Sequence, residues 1–203
     1  MRALIVIDLQ NDFMPGGPLG VAGAHAVIPL ANALMPRFDV VVATQDWHPS
    51  DHGSFAANHD SRSPYEEIDL NGLRQTLWPV HCVQGTPGAA FVDALDAHQF
   101  STVVRKGTDK RVDSYSGFAD NGNRNRTGMA GLLRERGVTE VYVCGVATDF
   151  CVKFTARDAV AAGFKVFLIE DACRGVAMTP TAVPEALKEL EALGVVITTS
   201  SQV

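Results

Sequence analysis

Short apolar, β-branched runs recur along this chain: Ala3–Ile7, Val40–Ala43, Thr102–Val104, Val141–Cys144, Lys165–Ile169 and Val195–Thr198. Several are continuous rather than alternating. A strand of that kind has no face for water, so it belongs in a sheet covered on both sides. Segments of helical spacing lie between the runs, at His25–Arg37, Phe91–His98, Gly128–Arg136, Asp149–Ala162 and Pro184–Leu193. Gly137, Gly163 and Gly194 follow three of them, where a helix end takes a left-handed residue. Strands alternating with helices over such short links predict a parallel, doubly wound α/β sheet.

The 203 residues are 46% apolar and carry 17 Lys and Arg against 23 Asp and Glu, a formal net charge of −6. That length buries a full core without disulfide staples, and with no linker, repeat or low-complexity tail it reads as one domain, 1–203. The acidic balance argues against a nucleic-acid binder. No run of about 18 apolar residues is present, so no membrane span is expected. The first strand reaches Asp8 too soon for the apolar core of a secretory signal, and the expected compartment is the cytoplasm. Cys82, Cys144, Cys151 and Cys173 have neither metal-site spacing nor the density of a secreted scaffold, so each is expected as a free thiol. Two stretches break the rhythm, Asp46 to Pro87 and Lys106 to Thr127, both rich in polar and turn residues. Loops of that length in a compact domain are usually functional.

In open parallel sheets ligands bind beyond the carboxyl ends of the strands. The first strand here ends at Asp8, the second at Asp46 and His48, and the third at Lys106. The fourth runs into Gly145-Val146-Ala147-Thr148-Asp149-Phe150-Cys151. A carboxylate, a ligand pair, an amine and a thiol therefore meet at one edge. Cys151 opens a helix, where the dipole and a nearby Lys106 ammonium are expected to lower its pKa. Taken alone it would be a buried helix cysteine, as Cys82, Cys144 and Cys173 are read. Asp8 can take the thiol proton and pass it to a leaving group; alone it would be a turn former. Lys106 alone would snorkel to solvent. Asp46 and His48 stand at i and i+2 on one side of an extended chain, with His52 and His81 following, a donor set for zinc, manganese or iron. His25, His59 and His98 are read as surface histidines.

Several blocks of sequence then add a family resemblance. Ile7-Asp8-Leu9-Gln10-Asn11-Asp12-Phe13, Thr44-Gln45-Asp46-Trp47-His48-Pro49, Trp78 through Gly88, Lys106-Gly107 and Gly145 through Val152 come in order and span nearly the whole chain. Together they resemble the isochorismatase-like cysteine hydrolases, and within them the nicotinamidase/pyrazinamidase branch. The resemblance implies a three-layer, six-stranded, mostly parallel sheet with helices on both faces. It implies a triad of Asp8, Lys106 and Cys151, and a cis peptide at Val146-Ala147 that aims the amides of Ala147 and Cys151 as an oxyanion hole. It implies a site for one divalent metal at Asp46, His48 and His81, zinc first, with iron or manganese as alternatives. His52 matches a histidine that some members use as a fourth ligand and others replace with water. Phe13, Trp78 and Tyr115 match the walls of a ring pocket. The stretch between His48 and Trp78 is longer than in the shortest members.

The activity so implied is hydrolysis of a small-molecule amide, nicotinamide, to nicotinate and ammonia through a Cys151 thioester. Pyrazinamide would be a further substrate, and NAD salvage the setting. The competing expectations are a carbamoyl or ureido hydrolase of the same superfamily and a noncatalytic relative that kept the fold. Neither native metal nor self-association is readable from the residues.

Overall fold

A computed structural model describes residues 1–203. The strands are β1 (Arg2–Ile7), β2 (Val40–Asp46), β3 (Glu67–Leu70), β4 (Leu73–Thr76), β5 (Thr102–Lys106), β6 (Glu140–Val146), β7 (Lys165–Arg174) and β8 (Val196–Thr198). The α-helices are α1 (Val27–Leu34), α2 (Met129–Glu135), α3 (Lys153–Ala161) and α4 (Ala182–Ala192). Six strands form one sheet in the order β5-β2-β1-β6-β7-β8, and every neighbouring pair is parallel. No helix is long and apolar enough to cross a membrane.

The continuous apolar strands are explained by burial on both faces. Alternate residues of β1 serve two separate cores. Leu4 and Val6 pack with Val27, Ala31 and Leu34 of α1. Ala3, Ile5 and Ile7 pack with Met129 and Leu133 of α2, Ala156 and Ala159 of α3 and Leu190 of α4. Each large aliphatic side chain so buried stabilises the fold by roughly 1.5–3 kcal/mol. Gly137, Gly163 and Gly194 end their helices at φ of 68°, 88° and 90°, the left-handed conformation expected of them.

Three features differ from the expectation. Phe91–His98 is irregular apart from a short 3-10 turn at Ala97–Gln99. Its backbone groups bond elsewhere: Val92 N–H donates to Leu9 O, Asn32 of α1 donates to Ala94 O, and Asp96 N–H donates back to Asn32 Oδ1. The apolar residues Phe91, Val92 and Leu95 still reach the core. Second, β7 runs on to Arg174. Its pairing with β6 jumps from Val143–Leu168 to Gly145–Cys173, so an irregularity carries the strand past the predicted end. Third, the long polar stretch holds an antiparallel hairpin, β3 and β4, turned at Asn71 (φ 54°) and Gly72 (φ 84°). Two positive φ values at Asn-Gly make this the tight turn that favours hairpins.

After β1 the chain moves to β2 and β5 on one side, then returns to lay β6 on the other side of β1. The switch point, where such sheets bind ligands, thus lies between the carboxyl ends of β1 and β6. Ile7 pairs with Gly145 there. Gly145 has φ 125°, and a Cβ on it would sit 2.1 Å from the Ile7 carbonyl oxygen. Gly145→Ala is therefore expected to lower stability by about 3 kcal/mol or more, read as a shift of the urea unfolding midpoint. A loss below about 1 kcal/mol would contradict this packing.

Candidate active site

Four strand ends bring together the residues that the sequence placed at one edge. Register pairs Asp46 with Lys106 at the ends of β2 and β5. Asp8 follows β1 in a left-handed conformation (φ 51°), which turns its carboxylate into the crevice. Cys151 stands in a π-helical turn, Thr148–Val152, that precedes α3. The Lys106 ammonium is the hub. Its Nζ lies 2.5 Å from Asp46 Oδ1, 2.9 Å from Asp8 Oδ2, 3.1 Å from the Ser114 carbonyl and 3.4 Å from Cys151 Sγ. The side chain expected to snorkel, absent other residues, is instead wholly buried. Thr44 donates to Asp8 Oδ1 at 2.6 Å. Oδ2 makes no aligned hydrogen bond, despite its closeness to Nζ, and so keeps a lone pair free. A carboxylate oxygen of Asp8 lies within 4.8 Å of the Cys151 sulfur.

The electrostatics correct one expectation. The Cys151 thiol is raised well above its ordinary value, not lowered. Burial is the main cause; Lys106 pulls the other way, and the charges of Asp8 and Asp46 push further up. Burial also raises Asp8, aided by Asp46 and opposed by Lys106. Asp46 is driven the other way. Burial disfavours its charge, but Lys106 and His48 outweigh that and hold it ionised well below the usual carboxylate range. Burial likewise opposes the charge on Lys106, yet the two carboxylates raise its pKa well above the ordinary value. Lys106 and Asp46 thus form an ion pair, while burial raises both Asp8 and Cys151 and the thiol, the weaker acid of the two, carries the proton. The site is built to share one proton between an acid and a thiol.

The other Asp46 oxygen faces two histidines. Asp46 Oδ2 lies 3.6 Å from His48 Nε2 and 3.8 Å from His81 Nε2. The remaining ring nitrogens are held by backbone carbonyls: His48 Nδ1 by Gly107 O at 2.9 Å, and His81 Nδ1 by Pro79 O at 2.8 Å. Donation from Nδ1 leaves each Nε2 lone pair free for a cation, the usual arrangement of metal-bound histidine. Gly107 is required here: a Cβ on it would lie 2.3 Å from the His48 ring. These donors fit one divalent ion with positions left for water or ligand. His52 is fully buried, its ring 4.4 Å from that of His48. Its Nδ1 accepts from the Ser54 N–H at 3.2 Å, and its Nε2 has no partner. Its donor atom groups with His48 and Asp113 rather than with Asp46 and His81.

Between the thiol and the histidines is a narrow cavity of about 30 Å³. Phe13, Trp78 and Tyr115 line it. Phe13 stands 5.5 Å from the His81 ring. Trp78 donates to the Tyr115 hydroxyl at 3.2 Å. The Val146-Ala147 peptide is cis. Ala147 also lines the cavity, and its N–H donates to no atom of the protein. Sequence reading missed Phe150, which packs on Trp78 at 4.9 Å, and Val176, whose amide is held by Asp149 Oδ1 at 2.9 Å. It also missed Thr44, Gln75 and Asp113, whose roles depend on contacts across the fold. Asp149 was legible only as part of a turn; its two oxygens tie Val176 and Ala177 to the segment carrying Cys151.

The Isochorismatase domain family matches residues 2–202 of this chain. A nicotinamidase of Acinetobacter baylyi is 48% identical over 193 residues, covering 95% of this chain and 90% of that protein. The structure of a nicotinamidase/pyrazinamidase from Acinetobacter baumannii superposes with a TM-score of 0.96 at 47% identity, over 99% of this chain and 97% of the other. A pyrazinamidase of Pyrococcus horikoshii, solved in complex with zinc, superposes at 0.80 with 40% identity, over 98% of each chain.

Lys106→Met keeps the length of the side chain and removes its charge, leaving Asp8 and Asp46 buried together. The expected cost is about 3–5 kcal/mol at pH 7, measured by urea unfolding. The loss should shrink as pH falls toward the ordinary carboxylate range, because protonated carboxyls need no counter-charge. A pH-independent loss would mean that packing, not charge, is what Lys106 contributes.

Proposed function

The chain belongs to the isochorismatase family, and from that premise we propose that it is a nicotinamidase, an amidase that hydrolyses nicotinamide to nicotinate and ammonia. Pyrazinamide, the same carboxamide on a similar ring, is a second substrate. The observation that carries this reading is the juxtaposition of Asp8, Lys106 and Cys151 at one end of an aromatic cavity and the Asp46, His48 and His81 donors at the other. A flat pyridine carboxamide has a reactive carbon at one end and a ring nitrogen at the other, which matches that polarity.

Cys151 is the nucleophile and Asp8 the acid and base. Asp8 Oδ2, with its free lone pair and raised pKa, takes the thiol proton as sulfur attacks the carboxamide carbon. Lys106, 3.4 Å from the sulfur, stabilises the thiolate as it forms. The carboxamide oxygen becomes an oxyanion and receives the unpaired Ala147 amide, together with the amide of Cys151. Asp8 gives its proton to the departing nitrogen, and ammonia leaves a Cys151 thioester. Asp8, again ionised, takes a proton from water as the water attacks the thioester carbon. Collapse releases nicotinate and returns the proton to sulfur. Phe13, Trp78 and Tyr115 hold the ring and keep bulk water out. Asp46, His48 and His81 would hold one divalent ion, zinc as in the Pyrococcus relative, with iron or manganese as alternatives. Such an ion supplies a Lewis acid that binds and orients the ring nitrogen.

The enzyme works as one domain, 1–203, in the cytoplasm, on the free amide of the NAD salvage route. Ammonia release from nicotinamide by the purified protein tests the reading, and no release with zinc, iron and manganese each supplied would refute it. Cys151→Ala is expected to reduce turnover by about four orders of magnitude or more while nicotinamide still binds. Full activity in that variant would remove Cys151 as nucleophile. Chelation is expected to depress turnover, with recovery on adding back a divalent ion; unchanged activity in demonstrably metal-free protein would remove the metal from the reaction.

A further inference from the structure

Asp113 is a buried carboxylate without a cation. It is 3% exposed and lines the cavity. Of its oxygens, Oδ1 accepts the Ser114 amide at 2.8 Å and Oδ2 accepts Gln75 Nε2 at 3.0 Å. No ion pair of the protein includes it. Four other carboxylates are buried. Asp8 and Asp46 share Lys106. Asp149 accepts two backbone amides, and Asp120 accepts three together with the Asn125 side chain. Asp113 has two neutral donors, as Asp149 has, but unlike Asp149 it opens on the cavity beside the histidines, where a cation can offset the cost of its burial.

The groups in front of Asp113 are histidines. A carboxylate oxygen of Asp113 and donor atoms of His48 and His52 lie within 4.8 Å of one another, and His52 Nε2 is a fully buried atom with no hydrogen-bond partner. We propose that Asp113 is a second acidic member of the metal centre, supplying through His52 and His48 the counter-charge that holds the divalent ion, and that Gln75 of the hairpin fixes its position. This inference rests on the metal site described under the proposed function.

Charge balance leads to the same place. A divalent ion and Lys106 bring three positive charges into a closed site. Asp46 supplies one negative charge, and the proton shared by Asp8 and Cys151 leaves one more between them. Asp113 supplies the third. With it, the loaded site is neutral before a neutral amide enters; without it, a net positive charge would be buried under the aromatic walls. Gln75 sits on β4, is 2% exposed, and also reaches the Tyr115 hydroxyl at 3.0 Å. The hairpin in the long polar stretch thereby links the ring wall to the metal end of the cavity.

The test is zinc affinity, measured by competition with a chromophoric chelator on the wild type, Asp113→Asn, Asp113→Glu and Gln75→Ala. Asp113→Asn keeps shape and loses charge, and should weaken zinc about 10- to 100-fold, the range for residues behind metal ligands. Asp113→Glu keeps the charge and should bind within a few-fold of wild type. The rate at which a neutral reagent alkylates Cys151 in the metal-free proteins should not change, which separates loss of metal from loss of fold. Zinc binding by Asp113→Asn equal to wild type overturns the proposal. If that variant does not fold, Gln75→Ala decides: several-fold weaker zinc supports the proposal, and wild-type affinity overturns it. A wild type that binds no zinc defeats the metal site itself. A wild type that binds zinc but leaves nicotinamide intact defeats the substrate, and leaves the Asp113 comparison standing.

Discussion

The buried Lys106 ammonium is the interaction on which the site depends. It sits at the end of an edge strand, wholly enclosed, against two carboxylates and a thiol. Burying one ammonium alone would cost several kcal/mol, and burying two aspartates alone would cost more. Together they are held only because β1, β2 and β5 are in parallel register, which puts three strand ends at one level. The apolar strands that build the two cores are therefore also what aligns the charges. Loosening the sheet at Gly145, where a Cβ would meet the Ile7 carbonyl, would disturb the alignment of these charges as well as the packing.

Asp46 divides its two oxygens between two tasks. Oδ1 neutralises Lys106, and Oδ2 faces His48 and His81. One carboxylate thus joins the lysine to the two histidines. Gln10 fixes it from behind: its side chain accepts the Asp46 amide and donates to the Asp46 carbonyl. The thiol is not a preformed thiolate in this arrangement. Burial and two carboxylates outweigh Lys106 and keep the proton on sulfur.

Much of this was legible from residues. Asp8, Asp46 and Lys106 each end an apolar run, and Cys151 follows one through a short turn, so sheet topology alone placed them together. The closeness of Asp46 and His48 was readable because their spacing of two puts both on one side of an extended chain. Phe91–His98 was not readable. Its apolar spacing suits a helix, but its backbone partners are Leu9 and Asn32, far away in sequence. The Cys151 thiol was misjudged for the same kind of reason. A helix start and a lysine argue for a low pKa locally, whereas the depth of burial and the second carboxylate are properties of the assembled site.

What the sequence determined by itself is the alternation of strands and helices, the chemistry at each strand end and the family, because these rest on residue type and spacing along one chain. What only the tertiary structure decided is how those groups are shared. It set which oxygen of Asp46 meets lysine and which meets histidine. It also left Asp113 facing the histidines with no cation of its own, and let a hairpin turned at Asn71-Gly72 carry Gln75 against Asp113 and Tyr115. Those outcomes depend on distances between segments far apart in the chain, and such distances exist only once the two cores have closed around the sheet.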